Sequence, residues 1–218
     1  MDAGGYLGNA SLKRTGVELS YTEDQVAEII RCTEDPVYFI KTYVKIVNVD
    51  RGLIPFEMWP FQEDMVNTFH NNRFCIAKMP RQVGKTTTTV GFMLWSILFQ
   101  DDYSIAILAN KGSLAREILG RIQYAYEYLP LWMQQGIIIW NKGNIELENK
   151  SKIAAYATSA SGVRGGTYNL IFLDEFAFVP KNMADEFFTS TYPVISSGKT
   201  AKVIIVSTPC GFNHFYKM

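Results

Sequence analysis

Residues 74–87 read Phe74-Cys75-Ile76-Ala77-Lys78-Met79-Pro80-Arg81-Gln82-Val83-Gly84-Lys85-Thr86-Thr87. The apolar start predicts a strand over residues 74–79, and the pattern from Lys85 to Phe99 predicts a helix. The tripeptide Gly84-Lys85-Thr86 between them matches the last three residues of the P-loop pattern. Met79 stands where that pattern has its first glycine, so the match is partial.

The chemistry of a phosphate-binding loop suits these residue types. Gly84 allows the backbone to turn close to a phosphate, which the amides from Gly84 to Thr87 face from a helix N-terminus with positive dipole. Lys85 would neutralise the β- and γ-phosphates, and the Thr86 hydroxyl would be a magnesium ligand. The tripeptide alone is also compatible with an ordinary helix start.

A second stretch, Leu170-Ile171-Phe172-Leu173-Asp174-Glu175, ends four apolar residues with two carboxylates. A buried strand that ends in two charges makes sense if a cation binds there. We expect Asp174 to hold magnesium through its water shell and Glu175 to orient and deprotonate the water that attacks the γ-phosphate. Either carboxylate by itself would fit a solvated strand end.

A third stretch, Val206-Ser207-Thr208-Pro209, ends another apolar run in two hydroxyls. Ser207 or Thr208 is suited to hydrogen-bond the γ-phosphate or the attacking water and to transmit its loss to the rest of the molecule. The alternative is simple turn chemistry before Pro209.

The order of the apolar runs predicts an α/β fold. Strands are predicted over 74–79, 104–109, 170–173 and 203–206, helices over 85–99, 113–129 and 182–190, and antiparallel strands over 137–140, 144–148 and 152–157. Strands that alternate with helices indicate a mainly parallel sheet with helices on both faces. Ligands are then expected at the carboxyl ends of the strands.

The N-terminal part differs in pattern. The first twenty residues are glycine-containing and poor in apolar groups, which predicts an arm that is ordered only where something holds it. Thr22 and Gln25 have the spacing of a capping box, and Val26, Ile29 and Ile30 predict an apolar helix face. Asp35-Pro36 predicts a second helix start, and a short helix is expected over 61–70.

Composition sets the class of protein. The chain has 218 residues, 48% of them hydrophobic, and its 21 basic residues balance 21 acidic ones. These values predict one globular domain and exclude disordered and collagen-like classes, as well as a polybasic protein that coats nucleic acid by bulk electrostatics. Three cysteines without metal-site spacing and a start without a signal-peptide pattern favour a reducing intracellular compartment. The apolar stretch 90–99 is too short to span a bilayer.

Taken together, the three motifs resemble the ATPase motor of the large terminase subunit of tailed bacteriophages, closest to the T-even-like myoviruses. The resemblance covers the chain from about residue 20 and includes further stretches: Asn110-Lys111-Gly112-Ser113, Trp140-Asn141-Lys142-Gly143, Val163-Arg164-Gly165-Gly166, Pro193-Val194-Ile195-Ser196-Ser197-Gly198 and Asn213-His214-Phe215-Tyr216. The first P-loop glycine is commonly absent in this family, so Met79 agrees with the assignment.

The resemblance implies a RecA-like P-loop NTPase of the ASCE type, with residues 1–60 as an N-terminal arm and helices and 61–218 as the ATPase core. It implies ATP as substrate, magnesium as cofactor, and a homo-oligomeric ring that drives double-stranded DNA into an empty capsid. The capsid portal and the small terminase subunit are the implied partners, in the cytoplasm of an infected bacterium and without a membrane. The C-terminal nuclease domain of the family is expected to be absent, and nuclease activity with it.

The family's functional residues carry over one by one. Lys85 and Thr86 match the P-loop pair, with Gln82, Gly84 and Thr87 around the phosphates. Asp174 matches the magnesium-linked acid, Glu175 the catalytic carboxylate, and Ser207 and Thr208 the coupling motif. Gln62 matches the glutamine that reads the adenine edge. Arg81, in cis, or Arg164, toward a neighbouring subunit, would stabilise transition-state charge; for Arg164 a surface or phosphate-steering role is an equal alternative.

Other readings stay open at this point. Lys111, Lys142 and Lys150, with Trp140 nearby, are candidates for sequence-independent contact with DNA phosphates, although such loop lysines usually only solvate a face. A helicase-like DNA translocase shares the acidic and hydroxyl motifs, but the chain has no second RecA-like domain. A nucleotide-binding assembly module without turnover is the third reading.

Overall fold

The structure is a computed structural model that describes residues 5–158, 166–192 and 198–218. The predicted stretches Val163–Gly166 and Pro193–Gly198 of the family resemblance lie mostly outside these residues.

A twisted sheet forms the centre of the fold, as predicted. Within the described residues it has seven strands in the order β3-β9-β8-β4-β7-β6-β5. The strands are β3 (Phe74–Lys78), β4 (Ser104–Ala109), β5 (Ile137–Trp140), β6 (Asn144–Leu147), β7 (Lys152–Ala157), β8 (Leu170–Asp174) and β9 (Lys202–Ser207). The pairs β3–β9, β9–β8, β8–β4 and β4–β7 are parallel, and β5–β6 and β6–β7 are antiparallel. The mainly parallel sheet with an antiparallel extension is therefore confirmed.

The central strands are buried on both faces, which explains their unbroken apolar runs. On β8, Leu170 and Phe172 pack into one hydrophobic core, and Ile171 and Leu173 pack into a second core on the other face. Because successive side chains alternate across a strand, a run without polar residues fits only a strand covered twice.

Helices cover both faces. The larger core contains residues of α1 (Glu23–Glu34), α2 (Pro36–Tyr43), α3 (Pro60–Asn71), α4 (Lys85–Phe99) and α5 (Gly112–Glu127). The smaller core lies under a 3₁₀ turn (Phe176–Phe178), α6 (Lys181–Glu186), which continues as a π-helical segment (Phe187–Thr191), and the single turn α7 (His214–Lys217). The helix predicted over 182–190 is thus present but changes its hydrogen-bond pattern halfway.

The N-terminal arm is held by the far edge of the sheet. Leu12 is buried, the Lys13 amide donates to Gln134 Oε1 (2.9 Å), and the Gly16 amide donates to Glu148 Oε1 (2.9 Å). Arg14 forms a parallel bridge with Ile137 on β5. The composition of the arm predicts order only where other residues hold it, and these contacts with the far edge of the sheet hold it.

The predicted capping box of α1 is confirmed, because the Thr22 and Gln25 side chains bond each other's backbone amides. The predicted apolar face of this helix is wrong in part: Ile29 is half-buried, but Val26 and Ile30 are exposed, and Cys32 is the buried residue of the helix. The second helix start is confirmed, with Asp35 Oδ1 accepting from the Tyr38 amide at 2.9 Å.

A β-hairpin in the N-terminal part was not predicted. Strands β1 (Lys45–Asn48) and β2 (Gly52–Pro55) form an antiparallel hairpin between α2 and α3. Its signal was present in the sequence: β-branched and apolar pairs flank Asn48 and Gly52, which are typical turn residues.

Candidate functional site

The three sequence motifs meet at one edge of the sheet. In the parallel register Lys78 pairs with Ser207, and Asp174 pairs with Val206, so β3, β9 and β8 end side by side. The Met79 amide donates to Ser207 O (3.1 Å), which continues the pairing into the loop after β3. The predicted convergence at the carboxyl ends of the strands is therefore present.

The loop between β3 and α4 has the backbone conformation of a tight anion-binding turn. Gly84 is the N-cap of α4 with φ of 74°, and Gln82 also has a positive φ of 62°. The positive φ of Gly84 favours glycine, and a β-carbon at this position would lie 2.5 Å from Gln62 Nε2, so that a side chain would also displace the Gln62 carboxamide. Buried threonines follow, and Thr88 and Thr89 bond the carbonyls of Gly84 and Lys85.

Lys85 connects the motifs. Its side chain is only 7% exposed, and Nζ lies 2.9 Å from Glu175 Oε1, donates to Thr208 Oγ1 (3.0 Å) and approaches Pro80 O (3.4 Å). A buried ammonium needs such partners because its desolvation is otherwise unfavourable. The lysine of the first motif, the glutamate of the second and the threonine of the third thus form one cluster.

Glu175 is held on both carboxylate oxygens. Besides Lys85, Oε1 accepts from Thr208 Oγ1 (3.4 Å), and Oε2 accepts from the Thr208 amide (3.0 Å) and Ser207 Oγ (3.3 Å). Burial by itself would raise the pKa of Glu175, but the hydrogen bonds from Lys85 and from the Thr208 amide outweigh it and lower the pKa below its usual value. Glu175 is therefore ionised at neutral pH.

The backbone of Glu175 is strained. Its φ of 48° and ψ of 44° lie in the left-handed region, which is unfavourable for a residue with a β-carbon. Strained backbone of this kind clusters at functional sites because the surrounding contacts must enforce it. Here the strain turns the chain out of β8 and directs the carboxylate toward the loop after β9.

Asp174 faces the Thr86 hydroxyl of the P-loop. Thr86 Oγ1 donates to Asp174 Oδ1 at 3.2 Å. Burial, together with the negative charge of Glu175, raises the pKa of Asp174 to about 6. Magnesium bound with a nucleotide takes one or two protein oxygen ligands plus phosphates and water. Thr86 and Asp174 offer such a pair of hard oxygen donors, so the residues present fit the ion.

The Ser207 hydroxyl contacts Glu175 and the backbone of Ala177 and Thr208. It is fully buried, and its Oγ accepts from the Ala177 amide (3.0 Å) while lying within hydrogen-bond distance of Glu175 Oε2 and of Thr208 O (3.0 Å). The hydroxyl therefore joins the end of β9 to the turn after β8.

Gln62 ties the preceding helix to the P-loop. Its Oε1 accepts from the Trp59 amide (2.9 Å), and its Nε2 donates to Val83 O (2.9 Å). The side chain is buried and lines a cavity of about 850 Å³ that also borders Gln82, Gly84 and Thr87. A carboxamide has one further donor and one further acceptor. Contact with an adenine edge stays a prediction for this residue.

The structure describes one of the two predicted arginines. Arg81 is exposed in the P-loop, with its guanidinium 5.8 Å from the centre of the Phe178 ring, just after Glu175. Arg164 lies outside the described residues.

The candidate DNA-contacting lysines do not form one patch. Lys111 follows β4 and Lys142 precedes β6, which puts both at the edge where β8 and β9 end. Lys150 precedes β7 and lies at the opposite edge. Trp140 is half-buried, with its ring 5.1 Å from that of Tyr126, so it packs against the core. No helix in the described part of the chain is long and apolar enough to span a bilayer.

Comparison with known structures places the fold. The chain is similar to the HK97 bacteriophage large terminase (19% identity, TM-score 0.63), covering 80% of this chain and 37% of that one. It is also similar to the large terminase ATPase domain of a Thermus phage (20% identity, TM-score 0.58), covering 70% of this chain and 66% of that one. A third is the large terminase of a thermophilic bacteriophage in complex with ADP (12% identity, TM-score 0.53), with 70% and 39% covered.

These likenesses agree on the RecA-like α/β fold, and the chain spans little more than a third of the HK97 protein. The family model of the T4-like large terminase subunit, N-terminal part, matches residues 76–218, which is well over half of the chain and contains all three motifs. This chain therefore belongs to the T4-like family of large terminase subunits, of which it represents the N-terminal part.

Proposed function

We propose that this chain is the ATP-hydrolysing motor part of a viral large terminase subunit, which moves double-stranded DNA into an empty capsid. The observation that carries the proposal is the cluster of Lys85, Glu175 and Thr208 at the mouth of three adjacent strands. Clusters of a P-loop lysine, a carboxylate and hydroxyls at this end of a parallel sheet suit phosphoryl transfer to water.

Each residue has a chemical role in the proposal. The amides of residues 84–87 and the Lys85 ammonium bind the β- and γ-phosphates. Thr86 and Asp174 hold magnesium, which supplies charge neutralisation on the phosphates when bound. Glu175, ionised at neutral pH, orients the attacking water and accepts its proton. Arg81, beside the same loop, is available to stabilise charge that develops in the transition state.

Glu175 and the γ-phosphate compete for the Lys85 ammonium. An ammonium that turns toward a phosphate gives up part of its contact with Glu175 Oε1, which is 2.9 Å away in this structure. Loss of that contact raises the pKa of the carboxylate and makes it a better base. Thr208, which bonds both groups, would transmit the change to β9 and the chain after it.

The motor context adds partners to the proposal. A ring of copies on the capsid portal, with a small terminase subunit, is the assembly that the family implies. DNA would be held through its phosphates and without sequence preference. Lys111 and Lys142, at the same sheet edge as the site, are the candidate contacts that its geometry favours over Lys150.

Phosphate release from ATP tests the activity directly. The purified chain is assayed with ATP and magnesium, with and without double-stranded DNA, beside Lys85→Ala and the α1 surface variant Glu34→Gln. We expect release from the wild type and from Glu34→Gln, and loss of both turnover and ATP affinity in Lys85→Ala. Unchanged ATP affinity in Lys85→Ala would contradict the P-loop assignment.

The same assay separates the rival functions. A folded wild type that binds ATP without any release, with or without DNA, would favour the assembly module over the motor. Strand separation of a short duplex, measured in parallel, would favour a helicase-like translocase. Cutting of supercoiled DNA by this chain would contradict the expected lack of nuclease activity.

A further inference from the structure

The β1–β2 hairpin forms a wall of the cavity beside the P-loop. Ile46 and Ile54, which pair across the two strands, line the cavity of about 850 Å³. Val47 and Leu53, the next pair, do not line this cavity and are exposed. Because side chains alternate across a strand, the hairpin has one face committed to the cavity.

The tip of the same face is polar. Asn48 and Arg51 line the cavity beyond the two isoleucines. Asn48 Oδ1 accepts from the amides of Asp50 (2.9 Å) and Arg51 (3.1 Å), which fixes the turn from which the Arg51 side chain projects. This pattern of an apolar wall with a polar, cationic tip suits a flat heteroaromatic ring with a polar edge.

The cavity lies on the side of the P-loop away from the phosphate chemistry. It borders Gln82, Val83 and Gly84, whereas Lys85 and Thr86 turn to Thr208 and Asp174. Gln62 and Trp59 line it as well, and Trp59 is 67% exposed, which is unusual for so large a ring. A nucleotide with its phosphates on the amides of residues 84–87 would therefore have its nucleoside half here.

We propose that the β1–β2 hairpin is a nucleoside-recognition element and that Arg51 at its tip contacts the base of a bound purine nucleotide. The guanidinium is planar and stacks on aromatic faces, as a compact ammonium does not. The inference rests on the proposed function, because it assigns the base end of the same substrate. Arg51 is thus a specificity-determining residue and takes no part in the phosphoryl transfer.

Binding measurements with two ligands test this assignment. Affinities for ATP and for inorganic tripolyphosphate, which has no nucleoside, are measured by calorimetry for the wild type, Arg51→Ala, Arg51→Lys and the control Arg14→Ala. Arg14 is an exposed arginine of the N-terminal arm, at the far edge of the sheet. Arg51 is itself exposed at a turn, so its replacement leaves the core intact.

We expect Arg51→Ala to weaken ATP binding roughly two- to fivefold, the size of a cation–π contact at an exposed site, and to leave tripolyphosphate binding unchanged. At saturating ATP, kcat should stay at the wild-type value while KM rises. Arg51→Lys should resemble Arg51→Ala, and Arg14→Ala should resemble the wild type.

The outcomes separate a failure of the Arg51 assignment from a failure of the proposed ATPase function. If the wild type binds ATP and Arg51→Ala binds it equally well, the hairpin assignment is wrong and the ATPase stands. Equal weakening of ATP and tripolyphosphate, or full rescue by Arg51→Lys, would overturn base contact in favour of a phosphate contact. A wild type that binds neither ligand would overturn the proposed function and this inference together.

Discussion

Lys85 Nζ lies 2.9 Å from Glu175 Oε1, and the two side chains come from the loops at the ends of β3 and β8, which lie on either side of β9. The phosphate-binding cation and the water-activating anion of the proposed reaction are thus each other's partner. Thr208 forms hydrogen bonds with both of them, so a change in the contact between Lys85 and Glu175 would alter the hydrogen bonds of the loop after β9. Four substitutions test what each part of this arrangement does.

Glu175→Gln should keep ATP binding and lose hydrolysis. The amide preserves the shape of the side chain, but it accepts a proton far less readily than a carboxylate, and removal of a general base costs about 10²- to 10⁴-fold in rate. Single-turnover phosphate release and a separate ATP affinity measurement check the two halves of the prediction. Loss of affinity equal to the loss of rate would assign Glu175 to binding instead.

Ser207→Ala should lower kcat and leave the KM for ATP nearly unchanged. The substitution removes the hydroxyl between Glu175 Oε2 and the Ala177 amide, so the carboxylate loses part of its support while the phosphate cradle stays. Steady-state kinetics give the two parameters. The matched control is Ser96→Ala, a buried serine of α4 whose hydroxyl donates to Phe92 O. A fall in kcat of the same size in that variant would show that the effect at Ser207 is general destabilisation.

Gly84→Ala should disable the P-loop. The residue has φ of 74°, and the added β-carbon would lie 2.5 Å from Gln62 Nε2. We expect a loss of about 1–3 kcal/mol in stability from the strained backbone and at least a tenfold loss of ATP affinity. Gly120→Ala is the control, since no atom lies within 4 Å of its added carbon on α5. It should stabilise the protein by about 0.5–1 kcal/mol and bind ATP normally.

Asp174→Asn should stabilise the magnesium-free protein at neutral pH. The folded pKa of about 6 lies above the unfolded value of 3.8, so the folded state holds the proton more tightly and stability falls as pH rises through this window. The full penalty is present above pH 6 and amounts to about 3 kcal/mol at 1.36 kcal/mol per pKa unit. Denaturant unfolding in chelator should show a gain in free energy of unfolding for the variant at pH 7.5 and convergence with wild type near pH 4. Magnesium and ATP together should stabilise the wild type more than the variant, which lacks one of the two proposed metal-holding oxygens.

The site was largely predictable from local sequence, and the reason is topological. Gly84-Lys85-Thr86, Asp174-Glu175 and Ser207-Thr208 each follow a predicted strand. Since parallel strands end at one edge of their sheet, the assignment of three strands was enough to bring the motifs together. The direct bond between Lys85 and Glu175 was not predictable, because it depends on how far each side chain reaches once β9 separates β3 from β8.

Errors and omissions came from elements without a chemical motif. The face of α1 was assigned from Val26, Ile29 and Ile30, of which Ile29 alone is partly buried. Helix periodicity indicates which residues share a side and not which side the core will cover. The hairpin was not predicted, although its turn residues stand in the sequence and proline is tolerated at the end of an edge strand. Only the tertiary structure shows that this hairpin lines the cavity beside the P-loop and carries Arg51 there.

Sequence by itself determined that this chain is an α/β protein with a P-loop motif, an acidic strand end and a hydroxyl pair, because apolar periodicity and short motifs are local properties. Tertiary structure decided what those groups touch. The strained turn at Glu175, the tie from Gln62 to Val83 and the hairpin beside the P-loop all depend on contacts between residues distant in sequence. Such contacts form only when the sheet order and the packing of helices on it are in place, and no local pattern encodes them.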